Sequence, residues 1–145
     1  MVLIQYIDMM QLVNRNDTKR SSVNEQNLTS QLMHIAISIH RMLGPGLVEG
    51  IYEKCFCYEL AKRKIPFKRM QQFPVVYGDL LIDDGIRVDL VVDDLIVIEL
   101  KAEENYHPLW DAQLLSFLKL TGKRLGYIMN FRVPLMKEGI TRMSL

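Results

Sequence analysis

The fold of the chain is indicated most clearly by residues 88–101, which read Val88-Asp89-Leu90-Val91-Val92-Asp93-Asp94-Leu95-Ile96-Val97-Ile98-Glu99-Leu100-Lys101. Apolar residues on both sides of the Asp93-Asp94 pair predict two strands of a hairpin. Because side chains alternate along a strand, Glu99 and Lys101 share a face and lie about 6.5 Å apart. A carboxylate and an ammonium at the end of an apolar strand carry a desolvation cost, so they indicate either a structural ion pair or a functional site.

The length of the hairpin connection determines whether Asp89 joins the same face. A two-residue turn at Asp93-Asp94 would pair Asp89 with Ile98, on the face opposite Glu99. A three-residue connection or a bulge would instead pair Asp89 with Glu99 directly. We expect the second arrangement, in which both carboxylates face one cleft.

Two adjacent carboxylates repel each other unless a positive charge lies between them, and a divalent cation with oxygen ligands meets this need. Asp89 and Glu99 are therefore candidate metal ligands. Lys101 could stabilise developing negative charge or position a water molecule. The spacing supports metal-assisted hydrolysis of a phosphodiester. Arg87, two residues before Asp89, is the best candidate for a contact with a substrate phosphate.

The composition predicts one domain around this hairpin. The chain has 145 residues, of which 49% are hydrophobic and 24% are charged, so fully disordered, collagen-like and mucin-like chains are excluded. Residues 14–27 are polar and have little to bury. We interpret residues 1–27 as a flexible N-terminal appendage and residues 28–145 as the domain.

Hydrophobic periodicity predicts the order helix, helix, strands, helix, strand. The predicted helices cover residues 28–43, 47–64 and 108–121, and the first and third end at Gly44 and Gly122. The predicted strands cover residues 73–77, 80–82, 86–92, 95–101 and 125–130. This order predicts an α/β (mixed α+β) fold in which a mixed β-sheet is flanked by helices.

Charge and composition also narrow the possible partners. The 18 basic and 17 acidic residues give a net charge of +1, so contact with nucleic acid would need a local patch. No window has the roughly 20 consecutive apolar residues of a membrane span, and the first residues lack the cationic start of a signal peptide. We expect a cytoplasmic protein without a membrane partner, in which Cys55 and Cys57 remain thiols.

At Asp89 and at Glu99-Leu100-Lys101 the sequence resembles the PD-(D/E)XK nuclease superfamily, with Val88 in place of the proline. Gly46-Leu47-Val48-Glu49-Gly50-Ile51-Tyr52 further resembles the motif of the GxxExxY family within that superfamily. The resemblance covers residues 28–145. Other segments similar to that family are residues 40–46, 112–115, 118–119 and 130–131.

The resemblance implies a restriction-endonuclease-like core that holds Mg²⁺ or Mn²⁺ through Asp89, Glu99 and the Leu100 carbonyl. It also implies that Lys101 stabilises the transition state of nucleic-acid cleavage. Glu49 and Gln113 fit the places of two further residues that complete the catalytic cleft in many members.

Three residues around these motifs are open to more than one interpretation. Glu49 could instead favour a helix N-terminus through the helix dipole alone. Tyr52 can pack its ring while its hydroxyl remains available as a substrate contact. Phe117 stands four residues after Gln113, where the related Gln-x-x-x-Tyr pattern has Tyr, so one hydroxyl contact is missing.

Two functions are therefore considered. The first is a Mg²⁺-dependent nuclease, and the second is a catalytically weak or inactive nuclease-fold module that binds nucleic acid or a protein partner. A small, nearly neutral chain needs help to hold a nucleic acid, which a homodimer or a partner could supply. The observation that discriminates them is whether Asp89, Glu99 and Lys101 converge in one open cleft.

Overall fold

The computed structural model describes residues 21–145 of the chain, so most of the expected N-terminal appendage lies outside the described residues. Within this range the helices are α1 (Ser21–Leu43), α2 (Glu49–Lys62) and α3 (Leu109–Thr121), with a 3₁₀ turn at Met136–Gly139. The strands are β1 (Phe67–Tyr77), β2 (Leu80–Val92), β3 (Ile96–Lys101), β4 (Leu125–Asn130) and β5 (Ile140–Ser144). None of the described helices is long and apolar enough to cross a membrane.

The five strands form one sheet in the order β1-β2-β3-β4-β5. β3 and β4 are parallel, and the other neighbouring strands are antiparallel. Parallel neighbours need a long crossover, and α3 provides it between β3 and β4. The predicted mixed sheet flanked by helices is confirmed.

Alternation along β3 divides the core into two layers. Ile96, Ile98 and Leu100 pack in the larger apolar cluster, which includes buried side chains of α1 and α2. Val97 points the other way, into the smaller cluster with Leu114 of α3. The central strand is therefore buried on both faces, and the helices of the two layers meet the sheet from opposite sides.

Several element boundaries differ from those predicted. α1 begins at Ser21 rather than at residue 28, and β1 begins at Phe67 rather than at residue 73. β2 is one continuous strand from Leu80 to Val92, where two short strands were expected. β5 was not predicted at all. In the strands, long-range backbone pairing stabilises residues whose own pattern is polar or irregular.

Tyr52 secures the connection between α1 and α2. Its side chain is fully buried, and its ring stacks on Phe131 with centroids 4.4 Å apart. The hydroxyl donates to the Gly44 carbonyl at 2.5 Å and accepts from the Leu47 N–H at 3.0 Å. The interpretation of Tyr52 as a substrate contact is therefore wrong, because backbone groups occupy its hydroxyl and the core covers its ring.

We expect Tyr52→Phe to lower the free energy of unfolding by about 1–3 kcal/mol, because the Gly44 carbonyl and the Leu47 N–H both lose their partner. Denaturant titration measures the change. Tyr58→Phe is the control, since that side chain is 66% exposed. Equal stability of the two variants would show that the buried hydroxyl contributes nothing.

Candidate active site

The connection between β2 and β3 has the odd number of residues that is needed to place Asp89 opposite Glu99. Val92 pairs with Ile96, so residues 93–95 form a three-residue connection. The two aspartates within it have φ values of 51° and 54°, a left-handed conformation that Asp adopts more readily than most side chains. The predicted odd-length connection is confirmed, and it brings Asp89 opposite Glu99.

The carboxylates of Asp89 and Glu99 bind backbone N–H groups at the end of the paired register. The last paired residues of the hairpin are Leu90 and Ile98. Beyond them, the Asp89 N–H donates to Glu99 Oε1 at 3.1 Å, and the Leu100 N–H donates to Asp89 Oδ2 at 3.0 Å. Side-chain oxygens thus replace backbone carbonyls as acceptors, and these bonds hold both carboxylates at one edge of the hairpin.

The regular alternation of β2 is interrupted next to Asp89. Val88 and Val91 both pack in the smaller cluster beside α3, although residues three apart on a regular strand face opposite ways. Leu90 packs in the larger cluster. Met70, which follows Arg69 and lies across from Asp89, has a φ of 49°, which is unusual in a strand. The pairing register of β1 and β2 nevertheless continues through this point, so the irregularity is local to the backbone around Met70 and Asp89.

The surroundings of Glu99 disfavour the charged form of its carboxyl group. The residue is only 5% exposed. Burial raises the pKa of Glu99 to about 8, and the negative charge of Asp89 adds to this effect, while Lys101 opposes it. In the absence of a cation, ionisation of the Glu99 carboxyl is therefore disfavoured.

Glu49 lies within electrostatic reach of this pair. It is the first residue of α2, and it is partly buried. Burial raises the pKa of the Glu49 carboxyl, and the charge of Asp89 raises it further, whereas Lys101 lowers it. The helix start thus brings a third carboxyl group towards Asp89 and Lys101.

Lys101 is partly buried at the end of β3, next to an aromatic ring. Its Nζ lies 5.4 Å from the ring centroid of Trp110, within the range of a cation–π interaction. Trp110 also packs against the smaller apolar cluster, so the ring is held by the core on one side. The ring limits where the ammonium group can point.

The backbone of Leu100 faces the Asp89 strand. The Lys101 carbonyl accepts from the Phe131 N–H at 2.9 Å, so the backbone of Lys101 faces away from β2. The preceding residue faces the other way, as its N–H bond to Asp89 shows. Because the N–H and C=O of one strand residue point to the same side, the Leu100 carbonyl also points towards β2.

The other candidates lie further out. Gln113 is exposed on α3, one turn after Trp110, and Arg87 is exposed on β2, opposite Gln72. Among the described residues no hydrogen bond joins either side chain to the carboxylates or to Lys101. The structure thus brings together Glu49, Asp89, Glu99 and Lys101, and leaves Gln113 and Arg87 at the surface.

Trp110 also belongs to this site, although none of the sequence motifs indicates it. The available signal was topological: the chain leaves β3 after Lys101 and must return over one face of the sheet as α3. Trp110 stands in the first turn of that helix, so its ring lies beside the end of β3.

The available ligands suit a small divalent cation. Within residues 21–145 there is no group of three or more His, Cys, Asp or Glu side chains that could hold a metal ion. Two carboxylates and one backbone carbonyl remain as an all-oxygen set. Mg²⁺ is commonly held by one or two carboxylates and several waters, so this set fits Mg²⁺, and oxygen ligands also suit Mn²⁺.

The fold and these residues define a nuclease-like class: a mixed sheet whose central hairpin ends in two carboxylates, with a lysine beside them. A family model of the PD-(D/E)XK nuclease superfamily matches residues 26–143, and the chain belongs to this superfamily. The architecture is accordingly consistent with a restriction-endonuclease-like fold. Comparisons with curated proteins and with solved structures gave no match.

We expect Glu99→Gln to stabilise the metal-free protein, and to do so more at high pH. The carboxyl group ionises near pH 4.5 in the unfolded chain and near pH 8 in the folded protein. Its cost to stability is therefore absent below pH 4.5, grows as the pH rises, and is complete above pH 8.

Urea titrations in EDTA at pH 5 and pH 8.5 measure this difference. Each tenfold difference in proton affinity corresponds to about 1.4 kcal/mol. Glu138→Gln, at an exposed position, is the control. A Glu99→Gln variant that is less stable than wild type at pH 8.5 would identify Glu99 as a structural partner of Lys101.

Proposed function

We propose that this protein is a divalent-metal-dependent nuclease that hydrolyses phosphodiester bonds of nucleic acid. The observation that carries the proposal is the reciprocal pairing of Asp89 and Glu99 at the edge of the hairpin, with Lys101 beside them, in a member of a nuclease superfamily. We further propose that the chain is a member of the GxxExxY family, a proposal supported by the motif at residues 46–52.

In this proposal Asp89, Glu99 and the Leu100 carbonyl hold Mg²⁺ or Mn²⁺. The ion, when bound, supplies the positive charge that offsets the carboxylates and the negative charge on the reacting phosphate. Metal binding requires the Glu99 carboxyl to be ionised, and the raised pKa of Glu99 opposes this at low pH. Metal affinity should therefore increase with pH.

Lys101 acts on the substrate rather than on the ion. An ammonium group has three donors and no acceptor, so it cannot be a metal ligand. It can donate to an oxygen of the phosphate, where negative charge grows in the transition state, or to the attacking water. Its position beside the Trp110 ring reduces the number of directions in which it can donate.

Three further residues complete the proposed cleft. Glu49 can accept a proton from the attacking water, and its raised pKa makes it a stronger base than an exposed carboxylate. Gln113 offers an amide at the exposed side of α3. Arg87 offers an exposed guanidinium that can contact a phosphate next to the one that reacts. A second copy of the chain or a protein partner would extend this limited grip on the substrate.

A catalytically inactive module that binds nucleic acid or a protein partner is the second candidate. Two observations favour it. Glu99 is only 5% exposed, so an ion must compete with its burial. Phe117 packs against the apolar cluster beside α3 and offers no hydroxyl group to a substrate.

Calorimetric titration with Mg²⁺ and with Mn²⁺ tests the metal site. Wild type is expected to bind at one site, and Asp89→Asn is expected to abolish binding because the site loses one of two charged ligands. Asp83→Asn, at an exposed position of β2, is the matched control and should bind like wild type. Equal binding by Asp89→Asn and wild type would remove Asp89 from the site.

Lys101→Ala should separate chemistry from metal binding. Single-turnover cleavage is expected to slow by about 10²–10³-fold, the scale of a lost donor to developing charge. Metal affinity in the same preparation should be unchanged or higher, because a neighbouring positive charge is gone. Lys68→Ala, at an exposed position of β1, is the control.

Equal cleavage by Lys101→Ala and wild type would exclude Lys101 from the mechanism. If wild type binds no ion and cuts no DNA, RNA or branched substrate with either metal, the second candidate becomes the better account.

A further inference from the structure

An aromatic pair extends from Lys101 to the protein surface. Trp110 contacts the ammonium group, and Tyr106 meets Trp110 edge to face, with ring centroids 5.0 Å apart and planes at 68°. Tyr106 is 44% exposed. The exposed Tyr106 ring is thus connected through Trp110 to Lys101, the residue that we propose acts on the phosphate.

The pair is held in place before any ligand arrives. The Tyr106 hydroxyl donates to the Asp111 carboxylate, and Trp110 packs against the core beside α3. A ring fixed in this way loses little conformational freedom when another flat group stacks on it. The apolar surface of Tyr106 is therefore preorganised rather than incidental.

The surrounding charges disfavour a grip on phosphate at this place. Glu103, Glu104 and Asp111 lie in the same stretch of chain as the two rings. The nearby Arg132 guanidinium lies 4.0 Å from the Glu104 carboxylate. The whole chain has a net charge of only +1. Affinity for a nucleic acid here must come from its bases, since negative carboxylates repel its backbone.

We propose that Tyr106, supported by Trp110, is a stacking platform for an unpaired nucleobase next to the phosphodiester that is cut. This inference rests on the proposed function and narrows its substrate class to nucleic acid with unpaired bases. Aromatic stacking accepts any base, because every base has a π-face. In an intact duplex the faces of the bases are covered by their neighbours, so a duplex cannot use the platform.

The experiment uses Trp110, the single tryptophan of the chain, as a fluorescent reporter at the platform. An oligothymidylate, an abasic oligomer of the same length and charge, and a duplex are each titrated into the protein, in EDTA and in Ca²⁺. The oligothymidylate is expected to quench the tryptophan and to bind at least tenfold more tightly than the other two. Its affinity should fall only slightly with added salt.

Variants of Tyr106 separate stacking from structural support. Tyr106→Ala should lower the affinity for the oligothymidylate by about tenfold, in line with the loss of one stacked base. Tyr106→Phe keeps the ring and loses the hydroxyl with its bond to Asp111, so it should bind nearly as well as wild type. Tyr77→Ala removes an 80% exposed tyrosine of β1 and is the matched control.

Three results would each overturn the platform: no binding of the oligothymidylate by wild type, equal binding of the abasic oligomer, or unchanged affinity in Tyr106→Ala. A loss in Tyr106→Phe as large as in Tyr106→Ala would also overturn it, because the ring would then not be the binding element. A protein that binds Mg²⁺ and cuts duplexes, yet gives any of these results, retains the nuclease function without the platform. A protein that stacks the oligothymidylate but binds no ion retains the platform and loses the nuclease.

Discussion

The pair of hydrogen bonds between Asp89 and β3 is the interaction on which the candidate site depends. At the end of the paired register, each carboxylate accepts from a backbone N–H of the other strand. These bonds fix Asp89 and Glu99 side by side, despite the repulsion expected between two charged groups. They also turn the backbone of Leu100 towards Asp89. Together they create a compact set of oxygen atoms where the pairing between β2 and β3 ends.

The core makes this unfavourable arrangement tolerable. β3 is buried on both faces, and its parallel pairing with β4 holds it from Ile96 to Lys101. The strand therefore cannot shift to move Glu99 into solvent without losing its whole ladder. The energetic cost appears instead as a raised pKa at Glu99, which a proton relieves and a cation would relieve in its place. An ionised Glu99 is therefore expected to lower the stability of the metal-free protein and, at the same time, to be required for metal binding.

Much of the fold could be predicted from the sequence, because period-two and period-three-to-four patterns dominate the core. The bounds of β4, Leu125–Asn130, were predicted correctly, as was the helix end at Gly122, whose φ of 72° suits glycine. β5 and the first half of β1 escaped prediction, since backbone pairing rather than side-chain pattern defines them. The distortion at Met70 likewise has no signature in the alternation of residues.

The candidate site was predictable in part. The pairing of Asp89 with Glu99 was predicted from the length of the hairpin connection. One extra residue in the connection moves every side chain of one strand to the other face relative to its partner strand. The contacts of Tyr52 with Phe131 and of Trp110 with Lys101 have no signature in the local sequence pattern, because each depends on how two different parts of the fold meet. Packing of the Tyr52 ring was expected, whereas its hydroxyl, which was expected to remain available, bonds to the backbone of the α1–α2 loop.

The central claim is that Asp89 and Glu99 form one metal site, and a crystal structure of the protein with Mn²⁺ tests it most directly. The account predicts one anomalous scattering peak between the two carboxylates, within coordination distance of an oxygen of each and near the Leu100 carbonyl. The bonds from the Asp89 and Leu100 N–H groups should lengthen or break as the oxygens turn to the ion. The account would be contradicted if crystals of protein that cleaves nucleic acid, grown at saturating Mn²⁺, kept both hydrogen bonds and held no Mn²⁺ between the carboxylates. A Mn²⁺ ion bound elsewhere in such crystals would be the same contradiction.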